Sequence, residues 1–377
     1  MHVFVTVPLD PLDALGPLDQ GGATVTGRVR GFLADLFGPR RPAWPGDYYA
    51  VRTWDRTDGR DCLQLSLQSD TAGADEARDR VRDAARAHGL RPDVAELPFE
   101  EIPSPLWNSG IGGEGIDAVA KRLYRAVSPL LVTTVSAMAD HPADKTAAYA
   151  SALDLMVANA AATVAESEQR QLSSRGFGEL LALRMLSYRS HYEGAKHALA
   201  KDPEAFERRC ALFHERLGPR VRELIRACAD APDATPGGEP AGSWARVVRQ
   251  HFGAVREECR AGRITHSGRT LDDFHENPDD HLPPSAFHAK KLSPEMSELL
   301  HRSPDFLAYR VQASLLYSCL HTLGFGLAER FLFCYVLARA NEEVSGMTTE
   351  ELAHGLDSVA REIARRRPVA PVIVQQT

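Results

Sequence analysis

The chain has 377 residues, of which 44% are hydrophobic and 25% are charged, and its formal net charge is −7. These proportions are ordinary for a folded protein of one large or two moderate domains. The negative charge, with arginines interleaved among acidic residues, excludes the basic surface of a nucleic-acid-binding protein. Every long apolar stretch is broken by a charged or polar residue, so a membrane partner is not expected either.

The cysteines and the N-terminus bear on the cellular compartment. The six cysteines are far apart and form no CxxC pair, which favours reduced thiols over a disulfide framework or a zinc finger. The N-terminal segment lacks the basic region of a signal peptide. We therefore expect a cytoplasmic protein.

The first hundred residues predict a small α+β lobe built on an antiparallel sheet, which we place at residues 1–104. Its strands have alternating or β-branched patterns, and two of them form a hairpin around a glycine-containing turn. Amphipathic helices lie between the strands. The strands are predicted at 2–8, 48–54, 62–68 and, as an edge strand, 90–98; the helices are predicted at 24–36 and 74–88.

A Pro/Gly-rich joint at 103–115 separates this lobe from a long helical region, which we place at 105–366. Polar loops interrupt the helical periodicity at 230–242 and 265–291, and 367–377 is predicted to be a loosely docked tail. Helices are predicted at 116–138, 142–167, 175–199, 203–229, 243–261, 293–301, 303–323, 327–344 and 348–366.

The helix predicted at 175–199 is apolar nearly all round, yet it carries a polar stripe. Arg184, Ser187, Tyr188 and His191 are spaced i, i+3, i+4 and i+7, which places them on one helical face. An unpaired buried polar group costs about 1–3 kcal/mol. The stripe is therefore either a satisfied structural network or the wall of a polar site.

A second polar stripe lies on the helix predicted at 303–323. Two long apolar helices with matched polar faces predict a common polar cavity between them. The alternative is that each face bonds to neighbouring helices or meets solvent. The second stripe has residues at i, i+4, i+7 and i+11 with two polar neighbours: Arg310, Ser314, Tyr317 and His321, beside Gln312 and Ser318.

The loop at 265–291 is rich in histidine and acidic residues, but its spacing matches neither HExxH nor a calcium-binding loop. We therefore predict no metal site and favour a loop that orders over a substrate. The glycines at 110–115 lack the context of a nucleotide site, and no GxSxG supports acyl hydrolysis. The polar loop residues weighed as metal ligands are His266, Asp272, Asp273, His275, Glu276, Asp279, Asp280, His281 and His288.

The order of sheet lobe, Pro/Gly joint and helical part closing on ERFLFCYVLARANEE resembles the glutamate-elimination domain of lantibiotic dehydratases. In that family, arginines of a HLRLRF-like strand and an ERYGG-like segment are thought to hold the glutamyl ester. Here the strand is CLQLSLQS, with Gln64 and Ser66, and the glycine segment is WNSGIGG, with Asn108 and Ser109. The missing guanidinium partners argue against glutamate elimination.

The departure from the arginine pattern resembles the thiopeptide pyridine synthases, whose central helix carries an RSH-containing run like SYRSHYEG at 187–194. The resemblance implies an enzyme that joins two dehydroalanines of a ribosomal precursor peptide in a formal aza-[4+2] cycloaddition. Loss of water and of the leader peptide then gives a pyridine-centred macrocycle. The resemblance implies no cofactor. A stand-alone glutamate-elimination lyase and a non-catalytic leader-binding scaffold are the alternatives.

That chemistry needs groups that move protons and hold amides, without a nucleophile. We predict that Tyr317 and His321 shuttle protons, while Ser190, His191 and Ser314 hydrogen-bond the reacting amides. The other stripe residues and their neighbours are predicted to bind substrate: Arg184, Ser187, Tyr188, Arg189, Arg310, Gln312 and Ser318.

The N-terminal lobe is the predicted contact for the leader peptide. Strand addition and helix-in-groove docking are both open, because the lobe has a sheet and amphipathic helices. The candidate anchors are aromatic, and the alternative is that these aromatics form the core of the lobe: Trp44, Tyr48, Tyr49 and Trp54.

Overall fold

The α+β class predicted from the sequence is confirmed. A four-stranded antiparallel sheet near the N-terminus is followed by a mostly helical region. The tail at 367–377 and most of the polar loop at 265–291 lie outside the described residues. The computed structural model describes residues 2–9, 22–39, 44–54, 61–69, 73–103, 110–140, 145–199, 202–234, 237–266, 287–288 and 292–366.

The sheet has the strand order β2-β3-β1-β4, with β1 at His2–Pro8, β2 at Tyr48–Trp54, β3 at Asp61–Gln68 and β4 at Asp93–Leu97. The predicted hairpin is confirmed, since β2 and β3 pair antiparallel. The predicted edge strand is confirmed as well, since among the described strands β4 pairs with β1 alone. The lobe also contains α1 (Gly22–Phe37) and α2 (Ala74–Ala87).

The helical region is an array of buried and amphipathic helices. Proline in the first turn, where its missing N–H costs nothing, marks the starts of α7 to α10. The helices are α3 (Ile116–Asp140), α4 (Lys145–Ala165), α5 (Gln169–Leu172), α6 (Phe177–Leu199), α7 (Pro203–Asp230), α8 (Glu239–Arg260), α9 (Pro294–His301), α10 (Pro304–Thr322), α11 (Leu327–Ser345) and α12 (Thr349–Arg366).

Three details differ from the sequence prediction. Helix α8 begins four residues early, because Pro240 fits its first turn and does not break it. The short helix α5 was not predicted. A two-residue ladder joins β5 (Ile111–Gly112) to β6 (Thr265–His266), and pairing between segments so distant along the chain has no local signal.

The sheet is attached to the helical region through β2, the edge strand on the side opposite β4. The N–H of Ala50 donates to Ser128 Oγ of α3 at 3.0 Å, and the N–H of Arg52 donates to Thr322 Oγ1 of α10 at 2.9 Å. An unpaired strand edge is otherwise open to pairing with another chain. The helices therefore seal β2, and one hydrophobic core runs through sheet and helices. The division at residues 104 and 105 remains a prediction.

Helix α4 lies at the centre of the helical region, against α6, α7, α8 and α10. Within the described part of the chain it is the one helix long and apolar enough to cross a membrane, and 72% of that stretch is buried inside the protein. Such burial is that of a core helix, because apolar faces on all sides need protein neighbours.

Candidate active site

Polar side chains on α6, α10 and α11 meet at one place, which we call the recess. Helices α6 and α10 pack mainly on other elements and approach each other through side chains. Although these helices are largely buried, the polar side chains of the recess are half-buried or exposed. The recess consists of Ser187, Ser190 and His191 of α6, Arg310 and Tyr317 of α10, and Arg330 of α11. Ser314 of α10 is half-buried, and its predicted contact with the reacting amides remains a prediction.

Tyr317 is the common neighbour in the recess. Its ring meets the ring of His191 edge to face, with centroids 5.2 Å apart and planes at 74°. The guanidinium carbon of Arg330 lies 5.2 Å from the Tyr317 ring centroid. On the same side, Ser187 Oγ hydrogen-bonds to the hydroxyl of Tyr309. The structure thus brings together members of the two polar stripes that the sequence predicts.

The His191 side chain is exposed, yet its pKa falls from 6.5 to about 4. Loss of hydration among surrounding protein atoms is the largest cause, and the positive charges of Arg330 and Arg310 add to it. His191 is therefore a neutral hydrogen-bonding group at pH 7.

Burial also holds the phenol of Tyr317 in its protonated form, with a pKa well above the usual 10. Its hydroxyl lies 3.6 Å from Cys334 Sγ, and burial raises the pKa of that thiol to about 12. Tyr317 is thus a protonated phenol that can donate a hydrogen bond, and Cys334 is a thiol rather than a nucleophilic thiolate. The titratable groups of the described recess are neutral apart from its guanidiniums.

Arg310 and Arg330 carry the positive charge of the recess. Both are half-buried, and burial lowers the pKa of each. Arginine nevertheless stays charged in proteins. In the ranges that the structure describes, no carboxylate forms an ion pair with either guanidinium, and the groups that favour their charged forms are tyrosine and cysteine side chains.

The polar loop contributes one described contact to the recess. His288 Nε2 lies 2.8 Å from Ser190 Oγ, and His288 also acts electrostatically on His191. Apart from 265–266 and 287–288, this loop falls outside the described residues, as do most of the side chains weighed as metal ligands. In the described ranges no three His, Cys, Asp or Glu residues are grouped so that they could hold a metal.

The predicted proton-transfer residue His321 is bonded into a buried charged network, although Arg330 of the recess also acts on it electrostatically. Its Nε2 is 3.3 Å from Asp61 Oδ1 of β3, and Arg52 of β2 donates to Asp61 Oδ2 at 2.5 Å. Burial would raise the pKa of Asp61, but hydrogen bonds from His321 and Arg52 outweigh it and the pKa is lowered. Burial in turn lowers the pKa of His321, against the effect of Asp61.

Three residues of α6 that are predicted to bind substrate have partners within the protein. Arg184 is buried, stacks 4.3 Å from the Tyr309 centroid and donates to Gln169 Oε1 at 3.2 Å. The Tyr188 hydroxyl donates to the carbonyl oxygen of Met156 at 2.7 Å. Arg189 pairs with Glu193 at 2.6 Å. For Arg184 and Tyr188 these contacts agree with the structural alternative stated for the first stripe. The predicted contacts of all three residues with substrate remain predictions.

The flanking residues of α10 point in other directions. Gln312 is fully buried, and neither polar atom of its side chain has a hydrogen-bond partner among the described residues. Ser318 lies beside the buried phenol of Tyr124 on α3. Their predicted contacts with substrate remain predictions.

The aromatic residues of the lobe separate into surface and core. Trp44 lines a groove of about 750 Å³ and donates from Nε1 to the carbonyl oxygen of Gln68 at 3.2 Å. Tyr48 stacks on Phe37 with centroids 4.3 Å apart. Tyr49 is fully buried, which removes it from the surface and supports the core alternative. The Trp54 side chain lies outside the described residues.

Sequence reasoning missed several residues around the recess. Arg330 had a usable signal, since it is a lone arginine ahead of the apolar run FLFCYVLA. Tyr309 holds both Ser187 and Arg184 but lies outside the predicted stripe. Asp61 was assigned to a hairpin turn, and nothing local indicates its contact with His321.

Comparison with solved structures shows the fold. The chain superposes on TsrL with a TM-score of 0.62 and 19% identity, covering 98% of this chain and 99% of that chain. It superposes on TbtD, a pyridine synthase from thiomuracin biosynthesis, with a TM-score of 0.51 and 16% identity, covering 92% and 99%. The chain therefore has a thiopeptide pyridine synthase-like fold. No protein-family model and no curated protein matches it in sequence.

Proposed function

We propose that this protein is a pyridine synthase of thiopeptide biosynthesis. It would join two dehydroalanines of a leader-bearing precursor peptide by a formal aza-[4+2] cycloaddition, then expel water and the leader peptide, in the cytoplasm and without a cofactor. The observation that carries the proposal is the recess, in which neutral proton-transfer groups face two guanidiniums. The similarity of fold to TbtD supports it.

The residues of the recess suit the steps of this reaction. One backbone amide must become its iminol to form the azadiene, and the hydroxyl must later leave as water. Tyr317, kept protonated, donates to the departing oxygen, while neutral His191 and Ser190 hydrogen-bond the reacting amides. Holding the two alkenes in contact lowers the activation free energy by about 7–11 kcal/mol, because translational and rotational freedom is already lost on binding.

A second function has a specific observation in its favour. Arg310 and Arg330 lack described carboxylate partners, and two such guanidiniums also suit the carboxylate of a glutamyl ester. A stand-alone glutamate-elimination lyase would use them to bind its leaving group. Gln64 and Ser66, at the expected arginine positions, are buried in the sheet, where Ser66 Oγ lies 3.2 Å from His2 Nδ1.

Two peptides distinguish these functions. The purified protein is incubated without added cofactors with a leader-bearing peptide containing two dehydroalanines, and separately with a glutamylated peptide. Mass spectrometry follows the products. An intact leader amide together with a matching macrocycle supports the pyridine synthase, and loss of glutamate from the second peptide supports the lyase. Binding with neither peptide changed would identify a scaffold.

A further inference from the structure

The recess holds two positive charges without negative partners among the described residues. Other buried arginines have a carboxylate nearby: Arg52 is bonded to Asp61, and Arg184, which is bonded to neutral Gln169, is also stabilised by the charge of Asp305. A partly buried charge without a counter-ion destabilises the folded state, because desolvation is not repaid. Arg310 and Arg330 have that property and lie near the same ring, His191.

The positions of Arg330 and Arg310 indicate which part of a ligand the two guanidiniums approach. The Arg330 guanidinium lies over the Tyr317 ring. A ligand atom that contacts Tyr317 in the recess therefore also lies close to Arg330. Arg310 reaches the glycine joint, since a Cβ added to Gly110 would lie 3.6 Å from its Nη2. Hydrogen-bond donors that lie where negative charge develops in a partly desolvated site strongly stabilise the transition state.

We propose that Arg310 and Arg330 form an oxyanion-binding pair for the amide carbonyl that becomes the iminol. This inference rests on the proposed function. When the amide N–H bond breaks, its proton passes to the neutral imidazole of His191, the nitrogen lone pair forms the C=N bond, and the C=O electron pair moves to oxygen. The two guanidiniums stabilise that oxygen until it takes up a proton, so no oxidant or further reactant is needed.

The test compares Arg330→Met and Arg310→Met with wild type, using the bis-dehydroalanine peptide. Removing one oxyanion donor is expected to lower kcat about 100-fold or more, with KM far less affected. Added guanidinium ion is expected to restore part of the turnover of Arg330→Met. The control is Arg339→Met on the same helix α11, since Arg339 pairs with Glu342 at the surface. Its turnover should match wild type.

Thermal unfolding separates this role from a structural one. Losing an uncompensated charge should leave the melting temperature of Arg330→Met and Arg310→Met equal to or above that of wild type. Unchanged kcat in both variants would overturn the inference, and so would a lower melting temperature with no rescue by guanidinium. Absence of product with wild type would instead overturn the proposed function, and the amide ligand with it.

Discussion

Tyr317 and His191 show how the recess determines the protonation state of its residues. Both would titrate nearer neutrality in water, but loss of hydration moves the pKa of the phenol up and that of the imidazole down. Tyr317 is uncharged at pH 7 with or without this shift, whereas His191 would be partly charged near its ordinary pKa and becomes uncharged. Tyr317 can supply a proton and His191 can accept a hydrogen bond, which fits an amide substrate better than a charged one.

Tyr317→Phe is expected to lower the rate of macrocycle formation about 100-fold or more, because it removes a general acid and leaves the ring in place. Folding should be intact, since the lost contact is the 3.6 Å one to Cys334. Turnover is measured by mass spectrometry, and circular dichroism monitors the fold. The matched control is Tyr149→Phe, which loses a 2.7 Å bond to Glu329. Equal turnover in the two variants would exclude Tyr317 from the mechanism.

His191 is expected to weaken the fold in mild acid. Its pKa is about 4 in the folded chain and 6.5 in the unfolded chain. Between these pH values the unfolded chain binds a proton at this residue and the folded chain does not. Stability is therefore lost as the pH falls from about 6.5 towards 4. Urea denaturation of wild type and His191→Gln at pH 7 and pH 5 measures this, and the variant should lose less stability. An equal loss would contradict the depressed pKa.

Helix α6 shows that the residues of one polar stripe can have different neighbours and different functions. Ser187 and His191 lie in the recess, whereas Tyr188 and Arg184 bond to Met156 and Gln169. The two pairs occupy opposite edges of one stripe, and a stripe about 100° wide can touch more than one neighbour. Helical spacing predicts the face, while the packing partners decide the function of each edge.

The turn between α10 and α11 fixes the position of Arg330. Gly324 has φ +90°, and a Cβ there would lie 2.1 Å from Thr26 Cγ2 of α1. Arg30 of α1 also donates to the Leu323 carbonyl oxygen, from Nε at 3.0 Å and from Nη2 at 2.6 Å. The sheet lobe therefore holds the turn that starts α11.

Gly324→Ala is expected to lower the free energy of unfolding by at least about 1–2 kcal/mol, the cost of a left-handed conformation for an L residue. The close approach to Thr26 adds to this cost. The control is Gly27→Ala, which lies in α1 with no atom within 4 Å of the new Cβ and should be neutral or stabilising. Denaturant titration compares the two. A variant at Gly324 as stable as wild type would contradict the geometry.

For the whole molecule, the network of Arg52, Asp61 and His321 connects the sheet to α10. Asp61→Asn leaves the Arg52 guanidinium buried without its carboxylate, and we expect a loss of about 3–5 kcal/mol. Because the folded pKa of Asp61 is lowered, this stabilisation is present above its unfolded pKa and disappears as the pH falls through the folded pKa. Chemical denaturation at several pH values measures both effects.

The control for this network is Asp75→Asn, which removes a largely exposed partner of Arg78 and should change stability far less than Asp61→Asn does. Similar losses for the two variants would mean that the buried network does not hold the lobe.

The leader-binding prediction applies to the lobe as a whole. Trp44 is the one candidate anchor described as lining a groove, so Trp44→Ala should raise KM for a leader-bearing peptide. The same variant should treat a leaderless peptide as wild type does. An unchanged KM for the leader-bearing peptide would place leader recognition elsewhere.

The sequence by itself determined the class of fold, the hairpin, the edge strand and most helices, because hydrophobic periodicity and proline positions act locally. It also identified Tyr317, His191 and Arg310 as polar residues on otherwise apolar helices.

Only the tertiary structure decided which polar residues share a space. The recess depends on how α6, α10 and α11 pack, and the contact of Asp61 with His321 joins residues 260 positions apart. The pKa values of His191 and Tyr317 depend on that same packing, because hydration is lost only when distant segments surround a side chain. Arg330 likewise gained its significance from Tyr317 on another helix.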